Sequence, residues 1–331
     1  MRDPSGRYTV AVTGVGALIG QGIARSLAPG GRARIIGIDR RITPFARTFC
    51  DGVAEKPQAG EDTEAYLDFW RDLVKREGID LILPGISIDM LFFDRNRAVF
   101  ADLGVAVALN RSELIALCAD KLDFYTAYEA AGFPVIPTAR PQSWEEAIAV
   151  LGPGPLLMKP RRGEASAGIV RLETARDFDY WTDRNGEDWL IQAIVGPDSA
   201  EYTVGAYGLG DGDYLGPIIM RRTLARAGHT GAAEVVDHPA ISELTDRIMR
   251  HFRPKGPTNL QFRMDGETPY LLEINPRFSS SCSLRAAFGF FEAEMCIDDL
   301  LEGRRPAEPK IRYGTALRYN EDHVCHAGDP V

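Results

Sequence analysis

Between Asn259 and Arg277 the chain reads NLQFRMDGETPYLLEINPR, two short runs of mixed character around Asp265-Gly266. Asp-Gly favours a tight reversal, so the stretch predicts a β-hairpin, and a hairpin sorts its side chains onto two faces. One face would carry Leu260, Phe262 and Met264 with Tyr270, Leu272 and Ile274, all apolar. The other would carry Asn259, Gln261 and Arg263 with Leu271, Glu273 and Asn275. If Met264 and Tyr270 close the loop, Gln261 falls opposite Glu273 and Asn259 opposite Asn275. Hard cations such as Mg²⁺ or Mn²⁺ take oxygen ligands, and an ion held on nucleotide phosphates needs few of them from the protein. Arg277, just past the second strand, could serve phosphate or carboxylate oxygens as a bidentate donor. A polar hairpin face that happens to hold one acid gives the same pattern, and on that pattern alone both readings stand.

The 331 residues, 45% hydrophobic and 26% charged, suffice for a large core and for two or three domains. A net charge of -9 with no basic stripe argues against nucleic acid as a partner. Cys50, Cys118, Cys282, Cys296 and Cys325 show no CxxC spacing, which suits free thiols in a reducing cytoplasm better than a disulfide framework or a zinc site. With no signal segment and no 18-residue apolar run, the expectation is a soluble cytoplasmic protein away from membranes.

Along the first third, strands and helices alternate. Tyr8–Val12 reads as a buried strand, followed by a glycine-rich turn (Gly14, Gly16, Gly20) that opens a helix, and Arg34–Ile38 as a strand ending at Asp39. The layout imitates a dinucleotide fingerprint, but Gly14-x-Gly16-x-x-x-Gly20 is not GxGxxG, and tight turning with close helix packing explains the glycines equally well. Thr63–Glu77 has helical spacing, Asp80–Pro84 reads as a buried strand and Asp102–Leu109 as a further strand. An open, mostly parallel α/β domain is implied. Ser112 is expected to cap a helix that contains Asp120-Lys121 and runs on through Leu122–Ala131, and Ser143 to cap Trp144–Leu151.

A strand over Leu156–Lys159 then runs into a loop with Gly163, Ser166 and Gly168. Small residues beside a lysine and two arginines suit a cover that closes over phosphates, although GxxxxGK[ST] is absent and a plain hairpin loop remains the simpler alternative. Asp188–Val195 and Glu201–Ala206 read as strands, Ile241–Phe252 and Leu284–Leu301 as helices, and Thr315–Tyr319 as a strand. His323-x-Cys325-His326 reads as solvated terminus.

Together these residues resemble the ATP-grasp enzymes over nearly the whole chain, most closely one synthetase half of the carbamoyl-phosphate synthetase large subunit. The likeness is carried by Asn259-Leu-Gln261-Phe262 and by Glu273-Ile-Asn275-Pro276-Arg277 with the serine-rich loop that follows. It implies a mixed fold, α/β at first and α+β in its C-terminal part: a doubly wound parallel-sheet domain (1–115), linker helices with a small lid (116–191), an antiparallel-sheet domain (192–310) and a tail (311–331). ATP would lie between the lid and the antiparallel sheet. The resemblance makes Gln261, Glu273 and Asn275 ligands of two Mg²⁺ or Mn²⁺ ions. It sets Lys121 and Lys159 on the phosphates under Gly163, Ser166 and Gly168, and Gln192, Ala193 and Ile194 at the adenine hinge. Glu201 falls at the ribose, and Arg277, Arg222 and His229 beside the reacting phosphoryl or acyl group. Where the family has Glu, this chain has Gln192, whose amide oxygen could still accept the adenine N6 bond.

The implied activity joins a small carboxylate to an amine through an acyl phosphate, releasing ADP and phosphate. Positioning and charge stabilisation dominate such transfers, which explains a site without a nucleophilic Ser or Cys. The resemblance leaves a homodimer open. Three alternatives remain: phosphorylation of a small acid without amide formation, a non-catalytic nucleotide-binding relative, and an NAD(P)-dependent oxidoreductase using Gly14–Gly20 with Asp39.

Overall fold

The computed structural model describes residues 5–58, 63–163 and 168–326, arranged as three sheets. The first contains β1 (Tyr8–Thr13), β2 (Ala33–Asp39), β3 (Gly52–Glu55), β4 (Leu81–Leu83) and β5 (Ala106–Val107). All neighbours are parallel, in the order β3-β2-β1-β4-β5. The near-continuous apolar run of β1 reflects cover on both faces, as parallel strands require. Val10 and Val12 pack with Ile23 and Leu27 of α1 (Leu18–Leu27). Ala11 and Ile36 pack on the opposite side with α2 (Glu64–Glu77), α3 (Ser87–Arg95) and α4 (Arg97–Asp102).

Strand order reverses between β1 and β4, and the loops at their carboxyl ends meet there. A Cβ on Gly20 would stand 2.2 Å from the Gly14 carbonyl oxygen, and one on Gly85 2.1 Å from that of Thr13. Asp39 ties the glycine turn down by accepting from Gly16 N at 2.8 Å. Close packing therefore accounts for Gly20 and Gly85.

Two expectations in this region change. Residues 97–102 are helical, so the strand expected over Asp102–Leu109 shrinks to β5, after Gly104 turns the chain at φ +71. The single helix expected from Ser112 is two, α5 (Ser112–Ala119) and α6 (Lys121–Ala130), with Asp120 extended between them. Asp120 breaks the helix because its carboxylate accepts from Leu122 N at 3.0 Å and Asp123 N at 3.3 Å, an N-cap that competes with helix continuation. Ser112 is not the cap of α5. Arg111 holds that position, and Ser112 Oγ donates to Asp94 at 2.8 Å.

A small antiparallel sheet follows, β6 (Thr138–Ala139), β7 (Leu156–Pro160), β8 (Val170–Leu172) and β9 (Trp189–Ala193), in the order β6-β9-β7-β8. Its own apolar cluster, including Met158, Leu172 and Ile191, packs under α7 (Trp144–Leu151) and α8 (Ala175–Asn185). Ser143 caps α7 as expected, accepting from Glu146 N at 3.2 Å.

The third sheet is antiparallel and six-stranded: β10 (Glu201–Leu209), β11 (Tyr214–Leu224), β12 (Thr230–Val235), β13 (Lys255–Asp265), β14 (Thr268–Asn275) and β15 (Thr315–Leu317). Val204, Leu260 and Phe262 face α6 and α9 (Pro239–Phe252). The opposite face meets α1, α10 (Cys282–Ala287) and α11 (Glu292–Cys296), so the first and third sheets share one core. The long helix expected over Leu284–Leu301 is broken at Gly289 (φ +95), where a Cβ would lie 2.3 Å from the Lys310 carbonyl oxygen. Beneath the polar face of the hairpin Arg285 and Glu292, each 0% exposed, pair at 2.9 Å. Arg285 Nη2 donates to Thr203 Oγ1 at 3.0 Å and also to Asn259 Oδ1.

Candidate functional site

The hairpin sets the site, and its register is the expected one where it matters: Gln261 opposes Glu273 and Asn259 opposes Asn275. Nearer the turn the expectation fails. A bulge past Gln261 pairs Phe262 with Leu271 and Arg263 with Tyr270. Leu271, assigned above to the polar face, is therefore buried in the core. Leu272, assigned to the core, lines the cleft next to Glu273. The extra residue bends β14 and re-aims a side chain, as bulges do beside sites. Tyr125 Oη donates to the Leu272 carbonyl at 2.5 Å.

This polar face forms one wall of a cleft of about 440 Å³ between the small and large sheets. From α6 comes Lys121, whose ammonium donates to the Gly163 carbonyl at 2.8 Å, and from β7 comes Lys159. The break at Asp120 puts Lys121 at the first turn of α6 instead of inside a longer helix. Asp120 also pairs with Arg161 at 2.8 Å, joining the helix start to the end of β7. Lys159 is 9% exposed. Burial pulls its pKa down to about 8, with Glu273 opposing the shift and Lys121 and Arg263 adding to it.

Gln192, Ala193 and Ile194 line the cleft where β9 leaves the small sheet. The Gln192 amide is engaged at both ends. Its oxygen accepts from Lys159 Nζ at 2.5 Å and its nitrogen donates to Thr138 Oγ1 at 2.9 Å. Its oxygen keeps a second lone pair, so Lys159 takes one of the two acceptor sites on the group expected to meet adenine N6.

Glu201 at the head of β10 holds two arginines. Arg222 reaches its Oε1 from Nη2 at 2.6 Å and from Nε at 3.1 Å, and Arg263 reaches Oε2 at 2.6 Å. A carboxylate offers roughly four acceptor sites, so these three bonds leave room for one donor such as a hydroxyl. Arg222 Nη2 also donates to Gln261 Oε1 at 2.6 Å. Arg277 donates from Nε to Ser87 Oγ at 2.7 Å, linking the end of the hairpin to the start of α3. His229 lines the cleft from the turn between β11 and β12.

Thus Lys121, Lys159, Gly163, Gln192, Ala193, Ile194, Glu201, Arg222, His229, Gln261, Glu273, Asn275 and Arg277 all border one cleft. Gly168 packs on Pro160, and Ser166 lies outside the described residues. The sequence reading missed Tyr125 and Thr138 as cleft or supporting residues. Neither sits in a motif. Arg263 was placed on the right face of the hairpin, and only its distant partner Glu201 gives it a role.

Glu273 Oε1 accepts from Asn275 Nδ2 at 2.8 Å. Among the described residues no group of three or more His, Cys, Asp or Glu could hold a metal ion. The oxygens of Glu273, Asn275 and Gln261 suit a hard cation that draws most of its charge balance from phosphate. Gln261 joins such a set only when its oxygen is released by Arg222.

Residues 187–323 match the family described as ATP-grasp in the biosynthetic pathway with Ter operon. N5-carboxyaminoimidazole synthetase from Staphylococcus aureus, solved with ADP, superposes with a TM-score of 0.73 at 15% identity over 96% of this chain and 84% of that one. The chain has the ATP-grasp fold. N5-carboxyaminoimidazole ribonucleotide synthetase from Thermus thermophilus gives 0.70 at 16% identity, covering 91% and 80% of the two chains. Biotin carboxylase from Campylobacter jejuni, solved as a β,γ-ATP complex, gives 0.72 at 16% identity, covering 93% and 74%. No curated protein matches this chain by sequence. The ATP-grasp fold and the mixed α/β architecture expected from the sequence are borne out.

Proposed function

We propose that this chain is an ATP-dependent ligase that activates a small carboxylate as an acyl phosphate and passes the acyl group to an amine. The observation that carries this reading is the placement in one cleft of two lysines from the lid side and the oxygen set Glu273–Asn275 from the hairpin, with Arg277 beyond them. Cations with oxygen ligands suit a triphosphate, and an arginine past them suits the group that receives the γ-phosphoryl. In the first step a substrate carboxylate oxygen attacks the γ-phosphorus and ADP leaves. In the second an amine nitrogen attacks the acyl carbon, phosphate leaves and the nitrogen loses a proton, giving the amide.

In this reading Lys121 and Lys159 neutralise the phosphates and Gly163 and Gly168 belong to the cover over them. The backbone of Ala193 and Ile194 takes the adenine, and Glu201 uses its remaining acceptor site for a ribose hydroxyl. Glu273, Asn275 and, once freed from Arg222, Gln261 would hold Mg²⁺ or Mn²⁺. The ion would supply charge neutralisation on the phosphate oxygens. Arg277, Arg222 and His229 would orient the carboxylate and the transferring phosphoryl. The division at residues 115, 191 and 310 and a cytoplasmic setting belong to the same proposal. Among the described residues, no helix is long and apolar enough to cross a membrane.

Glu273→Ala should leave the circular-dichroism spectrum unchanged and cut ATP turnover by about 10² or more, the loss of a group acting at developing charge. Wild-type-like ADP release from that variant would refute the assignment. The substrate is to be sought by measuring ADP release over panels of amino and hydroxy acids paired with amines, with mass spectrometry of the product. Turnover with an acid and an amine but no condensed product would instead favour phosphorylation alone.

A further inference from the structure

The last strand among the described residues, β15, forms an edge of the six-stranded sheet that walls the cleft. β15 adds antiparallel to the edge of β12, with Ala232 opposite Leu317 and Glu234 opposite Thr315. Backbone bonds extend the pairing at both ends, Arg318 N to the Gly231 carbonyl at 2.8 Å and Val235 N to that of Gly314 at 2.9 Å. Gly231 lies just past His229, so this pairing fastens the base of the turn that carries the histidine.

Little apolar burial holds the strand. Leu317 and Tyr319 remain 76% and 81% exposed. Arg318, between them, turns inward and donates from Nη2 to the Ser280 carbonyl. Burial lowers its pKa, and its Nε is buried without a partner among the described residues. Among the described residues the bond to the Ser280 carbonyl is what offsets the desolvation of this guanidinium. Ser279 and Ser280, just past Arg277 in the chain, line the cleft. Ser281 Oγ lies 3.1 Å from Thr230 Oγ1, and Thr230 Oγ1 accepts from Arg222 Nη1 at 3.4 Å. The start of β12, the serine loop and β15 therefore close a ring around this part of the cleft.

We infer that Arg318 is a positioning residue that holds the serine loop and the His229 turn in register, and so shapes the part of the cleft that receives the non-nucleotide substrate. The role assigned to that part rests on the ligase reading, whereas the bracing of the two loops does not.

The full-length chain, Arg318→Ala and Arg318→Lys are compared by hydrogen exchange of residues 225–232 and 278–286. MgADP is titrated into each protein, and inorganic phosphate, a product of the proposed reaction, into the MgADP-loaded proteins. In Arg318→Ala both segments should exchange about tenfold faster, as local opening becomes easier. Phosphate should bind about tenfold more weakly, and MgADP affinity should stay within about twofold. Arg318→Lys, which keeps a donor for the Ser280 carbonyl and serves if the alanine variant fails to fold, should recover protection and phosphate binding. Unchanged exchange in both segments, faster exchange confined to the tail, or unchanged phosphate affinity would overturn the inference. Failure of the wild type to bind MgADP would instead remove the ligase reading, and the exchange comparison would still decide the bracing.

Discussion

At Lys159 a cation is buried against a neutral partner, the Gln192 amide, and burial lowers its pKa to about 8. The ammonium is therefore charged below that value and neutral above it. From about 8 up to the ordinary lysine value of 10.5 the unfolded chain binds more protons than the folded one. Stability should accordingly rise with pH across that window, and below it the cost of the buried charge is constant. Phosphate binding runs the other way, because it needs the charged form. MgADP affinity is expected to be highest below pH 8 and to weaken above it. Gln192→Glu supplies a carboxylate and should shift this fall to higher pH. Calorimetric titrations of both proteins across pH 7 to about 10 check it. An unmoved midpoint in the variant would assign the fall to another group.

Two elements owe their form to single residues competing with regular structure. Asp120 interrupts what hydrophobic spacing reads as one helix, caps α6 and pairs with Arg161, thereby placing Lys121 at the cleft. Asp120→Ala should destabilise the protein by about 1 kcal/mol, the worth of an N-cap, and weaken MgADP binding through Lys121. Urea denaturation and nucleotide titration read the two effects separately. A variant with wild-type midpoint and affinity would show that Lys121 is placed by other contacts. The bulge in β14 is the second case. It left the pairing of Gln261 with Glu273 untouched but exchanged Leu271 and Leu272 between core and cleft. Residue alternation cannot reveal a bulge between two leucines, since both suit either face.

At the scale of the molecule the first and third sheets share a core, and Arg285 with Glu292 is a charged pair sealed beneath the hairpin. Burial pushes the Glu292 carboxyl upward while Arg285 opposes the shift. Arg285→Ala should cost about 3–5 kcal/mol, because it strands a buried carboxylate and removes donors to Thr203 and Asn259. Since protonation relieves the stranded group, the deficit should shrink as pH falls. Urea unfolding at two pH values tests this, and a pH-independent deficit would attribute the loss to packing alone.

The sequence by itself determined the parallel and antiparallel sheets, the hairpin with its oxygen-rich face, and the charged and amide side chains that border the cleft. Strand periodicity and turn residues are local, and the ATP-grasp likeness rests on short contiguous motifs. Partnership was decided only by the tertiary structure. That Glu201 answers to Arg222 and Arg263, that Gln192 is occupied by Lys159 and Thr138, and that Arg318 grips the serine loop are facts about residues distant along the chain. A side chain's chemistry is written in its type, but what it bonds depends on which strands the fold brings within about 3 Å of each other.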